Sequence, residues 1–161
     1  MVFNLVLQYV QNQEDAQEIT QDIFVKIYGA LPEFKQDSAL STWIYRITIN
    51  ASLDVIKSRK RKKRRAVLTS IFNADSNEIR HEAGHFDHPG VELEQKEATQ
   101  RIFQAINSLP EKQKTALILS KIEHKSQTEV AEIMELNPKA VESLIQRAKS
   151  NLSQNIKPNE G

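Results

Sequence analysis

The sequence has no cysteine, only four glycines and a single tryptophan among its 161 residues. The lack of cysteine excludes disulfides and thiolate metal sites, and it fits a reducing compartment. The scarcity of glycine favours helices over a sheet-rich fold. No apolar run approaches the ~20 residues that span a membrane, and residues 1–10 do not resemble a signal peptide. We therefore expect a cytoplasmic, helical protein of one or two small domains.

Charge is distributed unevenly along the chain, although the formal net charge is only +1. Residues 57–65 (KSRKRKKRR) are basic at every position except Ser58, whereas residues 14–22 carry four carboxylates. The basic run suits phosphate groups, and the acidic segment suits a basic protein surface. Taken alone, the basic run would also fit a solvated tail or a localisation patch.

Two helices are predicted ahead of Pro32. The first follows the helical spacing of Phe3, Val6, Leu7 and Val10. Asn12 can cap the second, because acidic residues follow it in the first turn. The residues that this second helix is expected to bury are Ala16, Ile19, Ile23, Phe24 and Ile27.

Residues 40–64 follow one long helical pattern with two apolar arcs and one polar arc. The first apolar arc consists of Leu40, Ile44, Ile47, Ala51 and Val55, and the second of Ile49, Leu53 and Ile56. The polar arc consists of Arg46, Asn50, Asp54, Lys57 and Arg61. Two apolar arcs predict a helix that packs on two sides. Trp43 falls on the polar arc, where it either meets an outside partner or caps the end of the core.

The C-terminal part of the chain carries a helix-turn-helix pattern. Ser126 and Glu129 form a capping box for a first short helix, and Asn137 with Pro138 begins a second. Glu135 stands where such turns usually have glycine, so we expect a strained or differently shaped turn. The small and apolar residues at the expected offsets are Val130, Ala131, Met134, Leu136, Val141 and Leu144. A plain helical hairpin is the alternative.

Residues 81–85 (HEAGH) match the H-E-x-x-H pattern of zinc proteases. Two histidines four residues apart on a helix can share a metal, and the glutamate can act as a base. However, Gly84 weakens a helix here, and Pro89 with Gly90 ends it. Solvated linker histidines are the simpler interpretation, followed by adventitious metal binding that includes His88.

Four segments in this order make the chain resemble the extracytoplasmic-function sigma factors, the small sigma factors of bacterial RNA polymerase. Residues 15–24 (DAQEITQDIF) resemble the family's D-A-E-D-hydrophobic-x-Q-[DE]-x-F segment. Residues 40–54 (LSTWIYRITINASLD) resemble L-x-T-W-L-x-R-I-A-x-N…D, and residues 109–113 (LPEKQ) resemble L-P-E-x-Q. The helix-turn-helix, with residues 146–149 (QRAK), resembles the family's closing pattern.

The resemblance implies an all-α fold of two small helical domains joined by a flexible linker. Residues 1–65 would form sigma region 2, residues 66–94 the linker, and residues 95–161 sigma region 4 with the helix-turn-helix. The family has a further helix ahead of the point where Met1 falls, so we expect the first domain to lack it. The resemblance also implies a protein that is not an enzyme and needs no cofactor.

In function, the resemblance implies a factor that binds core RNA polymerase, recognises the −10 and −35 promoter elements and aids DNA melting. The residues implied in polymerase binding are Asp15, Glu18, Gln21, Asp22 and Phe24. Those implied at the −10 element and in melting are Phe34, Lys35, Ser38, Ser41, Thr42, Trp43, Arg46, Asn50, Lys57, Arg59, Lys60 and Arg61. Those implied at the −35 element are Ser126, Gln127, Pro138, Lys139, Glu142, Ser143, Gln146 and Arg147. An anti-sigma factor is a further partner found in the family, although no residue here indicates one.

These assignments have a physical basis. A planar side chain with hydrogen-bonding neighbours can hold an unstacked base, which offsets the cost of unpairing. The basic run would hold phosphates in a salt-sensitive, sequence-blind way. The chain departs from the family at Glu142 and Leu144, where a basic residue and an arginine are usual. A glutamate accepts from cytosine but repels phosphate, so we expect altered −35 binding.

Three other functions remain open at this stage. A helix-turn-helix DNA-binding regulator that does not direct initiation would lack polymerase binding by residues 15–24. A metalloprotease would retain zinc and depend on His85. An RNA-binding helical protein would use the basic run to bind single-stranded RNA without polymerase.

Overall fold

The computed structural model describes the backbone of residues 1–72 and 93–156 and the side chains of residues 1–67 and 101–155. Within these ranges every regular element is helical and none is a strand, so the all-α prediction is confirmed for them. No helix of the described part is both long and apolar enough to cross a bilayer. The H-E-x-x-H pattern, His88 and most of the predicted linker lie outside the described residues.

The helices in chain order are α1 (Val2–Val10), α2 (Gln13–Ala30), α3 (Leu40–Phe72), α4 (Leu93–Ser108), α5 (Glu111–Leu117), α6 (Gln127–Met134) and α7 (Pro138–Ile156). A 3₁₀ turn, Leu31–Glu33, follows α2, and a π-helical turn, Ile118–Ile122, continues α5. The predicted cap of α2 is confirmed, because the Asn12 side chain accepts a hydrogen bond from the Asp15 amide at 2.8 Å.

Helix α3 packs on two sides, as its two apolar arcs predict. Ile44, Ile47, Ala51 and Val55 of the first arc contact an apolar cluster built from α1 and α2. The second arc, Ile49, Leu53 and Ile56, contacts a cluster shared with the C-terminal helices. Leu40 is 46% exposed because it is the first residue of the helix, so its predicted burial was wrong.

Helix α3 also continues to Phe72, beyond the end predicted near residue 64. Lysine and arginine have good helix propensity, and the basic run contains no glycine or proline to stop the helix. The basic run is therefore an exposed, helical segment rather than an irregular tail. Residues 66–72, assigned to the linker from the sequence, are helical in the structure.

The N-terminal and C-terminal helices pack against each other through one apolar cluster. From α1 and α3 it contains Leu5, Tyr9, Tyr45 and Ile49, which pack with buried residues of the segments from α4 to α7. The Tyr9 hydroxyl donates to Thr115 Oγ1 on α5 at 2.9 Å, and the Tyr45 hydroxyl donates to Glu123 at 2.9 Å. The polar arc of α3 consequently lies next to the C-terminal helices.

Candidate nucleic-acid interface

The helix-turn-helix has the predicted caps. Ser126 Oγ accepts from the Glu129 amide at 3.2 Å, and a Glu129 carboxylate oxygen accepts from the Ser126 amide at 2.8 Å. These hydrogen bonds, with help from Lys125, lower the pKa of Glu129 to about 2. The second helix begins at the predicted place, because Asn137 Oδ1 accepts from the Ala140 amide at 2.8 Å.

The turn between α6 and α7 is left-handed at Glu135, with φ 54° and ψ 44°. Glycine adopts this conformation without a Cβ clash, whereas a glutamate pays roughly 1 kcal/mol. The prediction of strain at this position is therefore confirmed in the backbone. The amide of Leu136 still donates to the Ala131 carbonyl at 3.0 Å, which closes the turn.

The side of the motif that is predicted to face DNA is open to solvent. The residues predicted for the −35 element are all exposed: Ser126, Gln127, Pro138, Lys139, Glu142, Ser143, Gln146 and Arg147. Gln127 Nε2 donates to the Pro138 carbonyl at 2.9 Å, which ties α6 to the start of α7. Leu144 is buried, so it lies on the packed side of α7 and not among these exposed residues.

The residues predicted for the −10 element lie in different surroundings. Trp43 and Phe34 are half-buried and in contact, with ring centroids 5.0 Å apart and planes at 41°. Thr42 is buried, so in this conformation its side chain packs internally. Near the loop, Lys35 and Ser41 are exposed and Ser38 is half-buried. Trp43 therefore packs against Phe34 and is not fully buried.

Three more residues predicted for the −10 element line a cleft of about 290 Å³ between α3 and the C-terminal helices: Arg46, Asn50 and Lys57. Arg46 Nη2 donates to the Glu132 carbonyl at 2.7 Å, and Nη1 lies 3.4 Å from Glu135 Oε1. Lys57 pairs with Glu111 at 3.2 Å. The packing of this side of α3 against the helix-turn-helix was not predicted from the sequence.

The exposed side of α2 contains most of the residues predicted to bind polymerase. Glu18, Gln21 and Asp22 are exposed, and Phe24 is 56% exposed. The prediction that α2 buries Phe24 was therefore wrong, because Ala16, Ile19 and Ile23 already fill the buried side. Sequence reasoning also missed the exposed apolar residues Val25, Tyr28 and Leu31. Their signal was their position outside the buried arc of α2.

Asp15 and Arg59, which were predicted to meet different partners, bind each other. Arg59 Nη1 donates to Asp15 Oδ2 at 2.6 Å, and this hydrogen bond raises the pKa of Arg59. Asp15 thus joins α2 to α3. Lys60 and Arg61 are exposed and continue the basic surface of α3.

Two family models match the chain. Residues 1–62 match Sigma-70 region 2, and residues 99–152 match Sigma-70, region 4. The chain is 31% identical over 157 residues to the RNA polymerase sigma-H factor of Pseudomonas aeruginosa, covering 98% of this chain and 81% of that protein. It is also 31% identical over 157 residues to the ECF RNA polymerase sigma-E factor of Escherichia coli K12, with the same two coverages.

Two solved structures share the fold. One is CnrH in complex with the cytosolic domain of CnrY, with a TM-score of 0.67 and 21% identity over 99% of this chain and 82% of that chain. The other is the sigma factor RpoE in complex with the anti-sigma factor NepR from Bartonella quintana, with a TM-score of 0.62 and 22% identity over 99% and 91%. At these identities the likeness carries the fold alone.

Proposed function

The chain belongs to the extracytoplasmic-function sigma factors, and from that premise we propose how its exposed faces divide the work of transcription initiation. As a sigma factor it directs promoter-specific transcription with core RNA polymerase on promoter DNA. Factors of this family are non-catalytic, and the polymerase carries out RNA synthesis. We place its action in the cytoplasm, where bacterial transcription occurs.

The polymerase-binding face in this proposal is the exposed side of α2. Phe24 and Tyr28 are exposed and four residues apart, so they share one side of α2, and the exposed Leu31 follows in the 3₁₀ turn. Glu18 and Asp22 add negative charge elsewhere on the solvent-exposed part of α2. A helix that exposes both aromatic residues and carboxylates suits a partner that is partly apolar and partly basic. This exposed face is the observation that carries the proposal.

The two DNA faces have different chemistry. On the −35 side, α7 would enter the major groove with Lys139, Ser143 and Gln146, and Arg147 would reach phosphate. On the −10 side, Trp43 would stack on an unpaired base while Arg46 and Asn50 supply hydrogen bonds. The exposed basic run from Lys57 would hold the flanking phosphates. Domain boundaries at residues 65 and 94 belong to this proposal.

We propose an anti-sigma factor as a third partner. The support is the structural likeness to an RpoE that was solved with the anti-sigma factor NepR. A helix-turn-helix regulator without a role in initiation is not favoured, since both sigma regions match the chain.

The test is direct binding of purified core polymerase to the full chain by surface plasmon resonance. Asp22→Lys should weaken binding several-fold, because it puts a positive charge on the side of α2 that is proposed to meet a basic surface of the polymerase. Asp37→Lys is the matched control, because it makes the same charge change in an exposed loop of the same half. Equal binding by both variants and the unaltered chain would remove the face from the proposal.

A further inference from the structure

We propose that a cavity between α1, α3 and α5 binds a small phosphate monoester with an apolar body. The cavity has a volume of about 320 Å³ and reaches the surface at exposed lysines of α3. This ligand site goes beyond promoter recognition and does not depend on it. We call it the lysine cavity, and the residues of its wall that matter here are Val10, Leu53, Ile56, Lys60, Asn107 and Lys114.

Part of the wall of the lysine cavity is apolar. Leu53 and Ile56 are three residues apart on α3, so they share one side of that helix, and both are half-buried. Val10, at the end of α1, adds a third apolar side chain. Water gains little from such a wall, whereas a ligand with an apolar body removes its surface from water. The wall therefore favours an organic ligand over a bare ion.

Two lysines in the wall have no carboxylate within ion-pair distance in the described part of the chain. Lys60 lies four residues beyond Ile56 and so on the same side of α3, and Lys114 belongs to α5. Positive charge in this space is therefore not balanced by the protein. The other cations of the wall already have partners, in the pairs Lys57–Glu111 and Arg59–Asp15.

Lys114 is the inner cation, since the residue is only 5% exposed. Its ammonium donates to two neutral acceptors, the Tyr9 carbonyl and Asn107 Oδ1, which use two of its three N–H groups. Burial first, and then the charge of Lys60, lower the pKa of Lys114 to about 8. The two ammonium groups thus lie close enough to repel each other while both remain largely charged at neutral pH.

A phosphate monoester matches this arrangement in charge and in hydrogen bonding. It carries about 1.5 to 2 negative charges at pH 7 and has three strong acceptor oxygens. One phosphate group can therefore balance Lys60 and Lys114 together, whereas a carboxylate brings a single charge. A phosphate of duplex DNA is a diester with one charge, and it can reach the exposed Lys60 but not the buried Lys114.

The test is a titration of the full chain, labelled with the heavy nitrogen isotope and followed by amide chemical shifts at neutral pH and constant ionic strength. Phenyl phosphate supplies the charge and the apolar ring, inorganic phosphate lacks the ring, and phenyl sulfate has the ring with a single negative charge. Phenyl phosphate should bind about tenfold more tightly than either of the others. It should also shift the side-chain amide of Asn107, which lies in the wall.

Three variants locate the binding. Lys60→Gln should weaken the binding of phenyl phosphate by about three- to tenfold. Lys62→Gln is the matched control, because it removes the same charge from the same exposed run on another side of α3. Lys114→Met removes the inner cation and should abolish binding, with circular dichroism to show that the helices are kept.

The expected result is a loss of affinity in Lys60→Gln that Lys62→Gln does not share. Equal losses in these two variants would overturn the lysine cavity, because binding would then belong to the basic run as a whole. Equal affinity for phenyl sulfate would overturn the phosphate assignment, and equal affinity for inorganic phosphate would overturn the role of the apolar wall.

The comparison of Lys60→Gln with Lys62→Gln decides the proposal even where Lys114→Met does not fold, since both residues are exposed. The titration contains neither polymerase nor DNA. Failure of the chain to bind polymerase would therefore count against the proposed function alone, and failure to bind phenyl phosphate against the lysine cavity alone.

Discussion

The guanidinium of Arg59 donates a hydrogen bond to the carboxylate of Asp15 across 2.6 Å and joins α2 to α3. Sequence similarity assigns the first residue to DNA phosphates and the second to polymerase. In the folded chain each is instead a partner of the other, and both side chains are partly shielded, at 47% and 29% exposure. Their pairing fixes the acidic start of α2 against the basic run.

This pairing predicts that Asp15 matters for stability more than for polymerase binding. Asp15→Asn should lower the free energy of unfolding by up to about 1 kcal/mol, the upper range for a partly exposed ion pair. Urea unfolding measures this directly. Asp22→Asn, on the exposed side of the same helix, should show the opposite pattern, with stability kept and polymerase affinity reduced. A larger polymerase defect in Asp15→Asn than in Asp22→Asn would contradict the assignment.

The buried ammonium of Lys114 predicts that the free energy of unfolding depends on pH. Its ammonium is buried under α1, where it donates to the Tyr9 carbonyl and to Asn107 and lies over the Tyr9 ring. Burial, together with the charge of Lys60, lowers its pKa to about 8, although Glu111 acts in the other direction. Between pH 8 and the ordinary lysine pKa near 10.4, the unfolded chain thus holds more protons than the folded one. Stability should rise with pH in that window.

The measurement for Lys114 is the free energy of unfolding at pH 7 to 10 in the full chain and in Lys114→Met. The free energy of unfolding of Lys114→Met should not rise above pH 8, because the variant has no ammonium group that loses its proton on folding. The pH range of the measurement stops at about 10, because Tyr9 and Tyr45 begin to ionise there in the unfolded chain. In the folded chain the pKa of both tyrosines is raised, chiefly by burial. A rise of equal slope in Lys114→Met would assign the effect to another group.

The position of Trp43 predicts that promoter opening depends on this residue more than duplex binding does. Its ring contacts Phe34 and keeps accessible surface, so it can exchange that partner for an unpaired base. Trp43→Ala should impair promoter opening, followed by permanganate reactivity of unpaired thymines, more than it impairs duplex retention. Loss of a stacking contact corresponds to about 1–3 kcal/mol. Equal loss in the two assays, or no loss in either, would argue against this role.

The exposed carboxylate of Glu142 predicts that α7 binds DNA phosphates weakly. Its carboxylate is exposed beside Lys139 and Ser143 on the face that would meet DNA. Glu142→Lys should tighten duplex binding and steepen the dependence of log K on log salt concentration by about 0.9, the value for one added phosphate contact. Gln154→Lys, on another side of the same helix, should change the slope less. Identical slopes of log K against log salt concentration in the two variants would place Glu142 away from the DNA phosphates.

The sequence predicted what depends on local pattern. The two apolar arcs of α3, the capping box at Ser126 and the unusual residue at Glu135 follow from spacing and side-chain chemistry. The packing of the N-terminal helices against the C-terminal helices could not be predicted, because it depends on contacts between residues far apart in the chain. Tyr9 meets Thr115, 106 residues away, and Tyr45 meets Glu123, 78 residues away. The exposure of Phe24 was missed because an apolar residue on an amphipathic helix is ordinarily buried.

The most direct test of this account is a map of transcription start sites on genomic DNA from the source organism, with purified core polymerase alone and with core polymerase plus the full chain. A chain that directs initiation should create a set of new starts that share upstream −10 and −35 sequences at a constant spacing. An unchanged set of starts, with duplex binding by α7 intact, would contradict it and would favour a DNA-binding regulator that does not direct initiation.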